Sequence, residues 1–151
     1  MRIVAQRVSR ASVRVGHEVV GEIGAGLLLL VGVAAGDGPP DSAAAVAKIS
    51  DLRVFADDEG RMNRSVVDTR GQILVVSQFT LLGDLRRGRR PSFTAAAEPD
   101  HAKELLDDLV SRFRAAGIET AEGRFGARME VDLVNDGPVT IILEVSGGRV
   151  V

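Results

Sequence analysis

Apolar, β-branched residues recur among polar ones in two short runs, Ile3 to Val8 and Ser12 to Val15, which read as strands. Gly16-His17 reads as a turn into a third such run, Val19 to Ile23. Gly24-Ala25-Gly26 then breaks the chain before Leu27 to Val33, whose continuous apolar character predicts a buried strand. Asp37-Gly38-Pro39-Pro40 reads as a loop, with Asp41 or Ser42 capping a helix through Ala43 to about Arg53. The polar, Gly-punctuated stretch Asp57 to Gly71 predicts a loop or loose hairpin, and Ile73 to Val76 a short strand. After a polar, basic loop from Leu82 to Ala95, Pro99-Asp100 opens a second helix. Its apolar residues Ala102, Leu105, Leu106, Leu109, Val110 and Phe113 keep the 3.6-residue period, and Gly117 stops it. Ile118 to Ala121, Arg128 to Val134 and Val139 to Val145 close the chain as strands, with Asn135-Asp136-Gly137-Pro138 as a hairpin turn between the last two. Strands outnumber helices without βαβ alternation. The expectation is an α/β fold, one domain over residues 1–151, with a mostly antiparallel, barrel-like sheet and two packed helices.

Composition narrows the chemistry. With 151 residues the chain can bury a core without staples, and it has no cysteine for disulfides, thiolate nucleophiles or iron–sulfur ligands. Two histidines, His17 and His101, cannot furnish a histidine-rich metal centre, so neither metal nor cofactor is expected. A net charge of -2 argues against coating nucleic acid through bulk charge. The longest apolar stretch, Leu27 to Ala35, is far short of the roughly 20 residues of a membrane span, and Met1 to Arg10 lacks the apolar block of a secretory signal. A cytoplasmic protein is expected.

Two glycine- or acid-rich segments resemble ligand loops only superficially. Gly21 to Gly26 precedes a strand instead of joining a strand to a helix, as a dinucleotide loop must. Asp57-Asp58-Glu59-Gly60 lacks the alternating ligands of a calcium loop. Arg86, Arg87, Arg89 and Arg90, threaded by Gly88, form the one dense basic cluster, either a solvated loop or a phosphate contact. Ser77-Gln78-Phe79-Thr80-Leu81 sets small polar groups and main-chain amides at a strand end. On its residues alone it is a capped terminus or a place where backbone N–H groups meet a developing oxyanion. Neither histidine adjoins it, so a Ser-His-Asp triad is not expected.

Ser77 to Leu81 together with Asn135-Asp136-Gly137-Pro138-Val139-Thr140 resemble the two signature motifs of the D-aminoacyl-tRNA deacylases. The opening Met1 to Val8, Met62-Asn63, Asp68, Gly71, Arg90-Pro91-Ser92-Phe93 and Gly123 to Ala127 follow the same pattern, so the resemblance spans nearly the whole chain. It implies hydrolysis of the ester in D-aminoacyl-tRNA, and of mischarged glycyl-tRNA, as chiral proofreading. Ser77, Gln78, Phe79 and Thr80 would form the catalytic segment, relying on main-chain groups and the tRNA 2′-hydroxyl. Gly137-Pro138, joined by a cis peptide, would reach into the partner's pocket of a homodimer and exclude L-side chains, with Arg7 steadying the loop. Arg7, Phe125, Met129 and Thr140 would complete the substrate pocket, and the arginine cluster would touch tRNA, with no part for DNA or membrane. The alternative is a non-catalytic RNA-binding module using the Arg86 to Arg90 loop.

Overall fold

The computed structural model describes all 151 residues. In chain order the elements are β1 (Arg2–Val15), β2 (Glu18–Ile23), β3 (Gly26–Gly32), α1 (Pro39–Ser50), β4 (Phe55–Ala56), β5 (Met62–Arg64) and β6 (Gln72–Ser77). A 3₁₀ turn (Phe79–Leu82), α2 (Pro99–Ala115), β7 (Thr120–Glu122), β8 (Glu130–Ser146) and β9 (Arg149–Val150) follow. Seven strands form one sheet in the order β7-β6-β3-β1-β8-β9, with β2 also paired to β1, while β4 and β5 make a separate small hairpin. The β3–β6 and β6–β7 pairs are parallel and the others antiparallel, so the sheet is mixed, curled and half-barrel in form.

The curl brings β2 against β7. Gly21 marks the contact, because a Cβ there would lie 2.6 Å from the Glu122 carbonyl oxygen. Curling also gives the sheet two buried faces. Leu27, Leu29, Val31, Ile73 and Val75 point to α1 and α2, joining Ala45, Ile49, Leu109 and Phe113 in the larger core. Their neighbours Leu28, Leu74 and Val76 point into the concave side with Ile23, Val8, Ala11 and Val13. This double burial is why Leu27 to Val31 reads as an unbroken apolar run.

Four expectations change. The runs Ile3 to Val8 and Ser12 to Val15 are one 14-residue strand, β1. Irregularities flank Val8, and they keep Val8, Ala11 and Val13 on one face despite their spacing. Helix α1 starts at Pro39 and ends at Ser50, with Gly38 as the N-cap instead of Asp41 or Ser42. Asp41 sits three residues in and accepts the Gly38 N–H at 2.8 Å, so the acid closes the helix start from inside. The edge strand expected over Ile118 to Ala121 is shorter and later, covering Thr120–Glu122. Most consequentially, Asn135 to Pro138 is no hairpin turn. Arg128 to Val134 and Val139 to Val145 belong largely to one strand, β8, both ends of which pair antiparallel with β1. A hairpin would fold the second segment back on the first; here β1 provides the neighbour for both.

Asp41 also ties the end of the chain to α1, accepting the Gly148 N–H at 2.9 Å. Burial works to raise its carboxyl, but the two N–H bonds, from Gly148 and then Gly38, outweigh it and hold the group below the usual range. A lowered folded value stabilises the protein above the unfolded-chain value of about 4 and loses that contribution as pH falls through the folded one. Asp41→Ala should therefore cost about 1–3 kcal/mol near neutral pH. Urea unfolding at pH 7 and at pH 3 checks this: the gap between wild type and variant should narrow in acid, and an equal gap at both would contradict it.

Candidate active site

Strand β6 ends at Ser77 and the chain turns at once into the 3₁₀ segment. Gln78 N–H still bonds to Val31 O at 2.8 Å, so the turn starts from a fixed point on β3. The first bond within the turn is donated by Leu81 to Gln78 O at 3.2 Å. The N–H groups of Phe79 and Thr80 come before that bond and have no acceptor in the turn itself. The segment, expected as a strand end that is either capped or offers backbone N–H groups, leaves β6 as a tight 3₁₀ turn.

A cavity of about 610 Å³ opens beside it. Its floor is apolar, from Val31, Val76, Phe125, Met129 and Val131, and its rim carries Ser77, Gln78 and Phe79. Phe79 is half-exposed and meets Phe93 edge-on, with ring centroids 5.1 Å apart. The far wall comes from Ala96 to Pro99 and from Ala102 and Leu106 of α2. Sequence reasoning missed Phe93, Glu98 and the α2 residues as parts of the pocket. Phe93 stands in a segment that carries the family resemblance, but the alanines have no chemical signature: backbone bonds to the chain just past β3, such as Ala97 N–H to Val33 O at 2.9 Å, place Ala96 and Ala97, and the packing of α2 places Ala102.

The structure gathers Ser77, Gln78, Phe79, Phe125 and Met129 around this cavity. Thr80 lies on the turn beside it, exposed, its hydroxyl oxygen accepting from Gln78 Nε2. Glu98 is the one ionisable side chain in the lining. His17 sits in the β1–β2 turn, and His101 is bonded through Nε2 to Asp37 O at 2.9 Å; neither lines the cavity.

Gly137, Pro138, Arg7 and Thr140 lie outside this cavity of their own chain. Gly137-Pro138 is a cis peptide, and Gly137 has φ +127. A Cβ on Gly137 would lie 2.9 Å from Val139 N, so glycine is required by both conformation and space. Arg7 braces the loop: Nε donates to Asp136 O at 3.1 Å and pairs with its carboxylate at 3.3 Å, while Nη1 donates to Val54 O at 2.5 Å. The Thr140 hydroxyl is taken up by Asn135 and Gln6.

The arginine loop is closed at its base by paired backbone bonds between Asp84 and Ser92, at 2.8 and 3.0 Å. Arg86 is folded back onto Asp84 through two bonds of 2.9 and 2.7 Å, which hold the Asp84 carboxyl down and raise the guanidinium. Arg87, Arg89 and Arg90 are exposed and make no salt bridge.

The D-Tyr-tRNA(Tyr) deacylase family model matches residues 4–144. A D-aminoacyl-tRNA deacylase of Desulforudis audaxviator (strain MP104C) is 58% identical over 144 residues, covering 95% of this chain and 97% of the relative. One from Roseiflexus sp. (strain RS-1) is 56% identical over 144 residues, covering 95% and 93%. Among solved structures, the c-Myc DNA Unwinding Element Binding Protein superimposes with a TM-score of 0.89 at 40% identity, covering 95% of this chain and 98% of that one. The family model and these relatives make the chain a hydrolase acting on a carboxylic ester. The chain belongs to the D-Tyr-tRNA(Tyr) deacylase family.

Proposed function

We propose that this chain hydrolyses the ester linking a D-amino acid to tRNA, and that the cavity beside the 3₁₀ turn receives the aminoacylated terminal adenosine. The observation that carries the reading is an apolar cavity bordered by the start of the 3₁₀ turn at Ser77 to Phe79, where N–H groups precede the turn's first bond. A flat base and an amino-acid side chain suit the floor, while the Phe79 and Thr80 N–H groups face charge that develops on the ester oxygen. Water adds to the carbonyl carbon, the bond to the ribose oxygen breaks, and a proton passes to that oxygen, leaving free amino acid and tRNA. The ester is already activated, and its vicinal 2′-hydroxyl lies next to the reacting atoms. Orientation and oxyanion stabilisation then suffice without a strong side-chain base. Neither histidine reaches the cavity, which fits that economy.

Chirality is read by exclusion. Gly137 and Pro138 are exposed on the bulge of β8 and lie outside their own chain's cavity, which suits a pair that works in a second copy's pocket. Val134, Ile141 and Ile142 on the same strand are exposed apolar residues that a homodimer would cover. The pair's main-chain atoms would collide with an L-side chain, and glycyl-tRNA, with no side chain to reject, would be cleared as well. Twofold symmetry gives each pocket the other chain's loop.

The Gln78 amide occupies the Thr80 hydroxyl oxygen, leaving the hydroxyl hydrogen free to orient an ester or a water. Thr80→Ala should slow single-turnover hydrolysis by less than the ~10²-fold that loss of a general base costs. Replacing the substrate's terminal 2′-hydroxyl by hydrogen should slow it more. An acyl-enzyme trapped on Thr80 or Ser77 would overturn this mechanism.

Arg87, Arg89 and Arg90 are free to meet acceptor-stem phosphates, whereas Arg86 is engaged by Asp84. Neutralising the first three together should weaken tRNA binding and flatten its salt dependence, the log–log slope falling by roughly 0.7–0.9 for each phosphate that an arginine had neutralised. Filter binding across a salt series measures both quantities. Unchanged affinity and slope would remove the loop from the RNA interface.

A further inference from the structure

We infer that Asn135 is the positioning residue for the Gly137-Pro138 screen, its side-chain amide rooting the loop where the β1–β8 ladder is interrupted. The inference rests on the reading of that pair as the chiral filter. Gln6 pairs with Thr140 and Val8 with Asn135, so Arg7 alone on β1 faces residues 136 to 139 on β8. An excursion of that size leaves carbonyl oxygens at its neck that a regular ladder would satisfy.

Two of them converge on one side chain. Asn135 Nδ2 donates to Arg7 O, on β1, and to Val139 O, on the far side of the loop, each at 3.0 Å. A primary amide has two N–H hydrogens, and both are used. The other end of the amide is fixed as well. Asn135 Oδ1 accepts from the Thr140 hydroxyl at 3.2 Å, and Thr140 Oγ1 accepts from Gln6 Nε2 at 3.3 Å. The chain of bonds Gln6 to Thr140 to Asn135 therefore settles which way the amide faces. Arg7 supports the outer flank of the loop through Asp136, so base and flank are held by different side chains.

Screening by main-chain atoms depends on where those atoms stand. A loop whose base is loosened gives way to an L-substituent, while the 3₁₀ turn that carries the chemistry is built on β6 and is untouched. Asp at position 135 keeps the shape but removes both donors and turns an anionic oxygen toward two carbonyls. Valine at position 140 keeps the shape of threonine without its hydroxyl, and serine keeps the hydroxyl.

The test compares hydrolysis of matched D- and L-tyrosyl-tRNA by the full chain and its variants, each checked for folding by circular dichroism. Asn135→Asp should lower the D/L rate ratio at least tenfold, Thr140→Val should lower it too, and Thr140→Ser should restore it. General loss of fold would depress both rates and leave the ratio alone. A wild-type ratio in Asn135→Asp overturns the inference, and if that variant does not fold, equal ratios in Thr140→Val and Thr140→Ser overturn it. Gly137→Ala separates the two levels. A ratio unmoved by it defeats the filter reading itself, whereas a ratio moved by it but not by Asn135→Asp defeats only the role of Asn135.

Discussion

The antiparallel pairing of β1 with β8 runs almost the length of both strands and is broken where Arg7 faces four residues instead of one. Two steps along β1, from Gln6 to Val8, are matched by five along β8, from Thr140 back to Asn135. The three extra residues are an odd number, so β8 turns its side chains over at the break. Leu143 and Val145 belong to the core under the helices, while Val131 and Leu133 pack on the concave side. The same break frees Gly137-Pro138 from the regular ladder. One local irregularity thus lets a single long strand serve both cores and presents a loop away from its own cavity.

The other half of the site follows from the parallel pair β3–β6. Buried on both faces, it gives the segment proposed to react a fixed base, and Ser77 leaves its end with Gln78 still bonded to Val31. Helix α2 covers the helix-side face and closes the cavity wall, so the pocket is a by-product of packing an amphipathic helix on that pair. The separation has a consequence. The segment proposed to react and the loop proposed to judge chirality stand on different strands, so each can be perturbed by its own substitutions.

Much of this is legible in the residues. The β-branched runs of β1 and β2, the apolar run of β3, the period of α2 and the stop at Gly117 each follow from local rules, because in these segments burial and propensity agree. The break in β8 is not legible. Asn-Asp-Gly-Pro has the composition of a tight turn, and only the presence of β1 as a common neighbour makes it a bulge inside one strand. The start of α1 misleads for a related reason: Asp41 is a good cap by type, but it acts from the third helical position on Gly38. Of the site, Ser77 to Phe79 with Phe125 and Met129 follow from the resemblance, whereas Ala96, Ala97 and Ala102 have no chemistry to announce them. The pinning of Arg86 by Asp84 depends on loop closure, which charge counting does not see.

The central claim is that main-chain atoms from two places do the work: donors of the 3₁₀ turn on the ester, and a second copy's Gly137-Pro138 against the Cα substituent. A crystal structure with a non-hydrolysable D-aminoacyl-3′-aminoadenosine tests it most directly. The account predicts the acyl oxygen within about 3 Å of the Phe79 or Thr80 N–H, and Gly137-Pro138 of a second chain filling the space an L-side chain would need. A pocket completed by one chain alone, with the acyl oxygen held only by side chains, would contradict it.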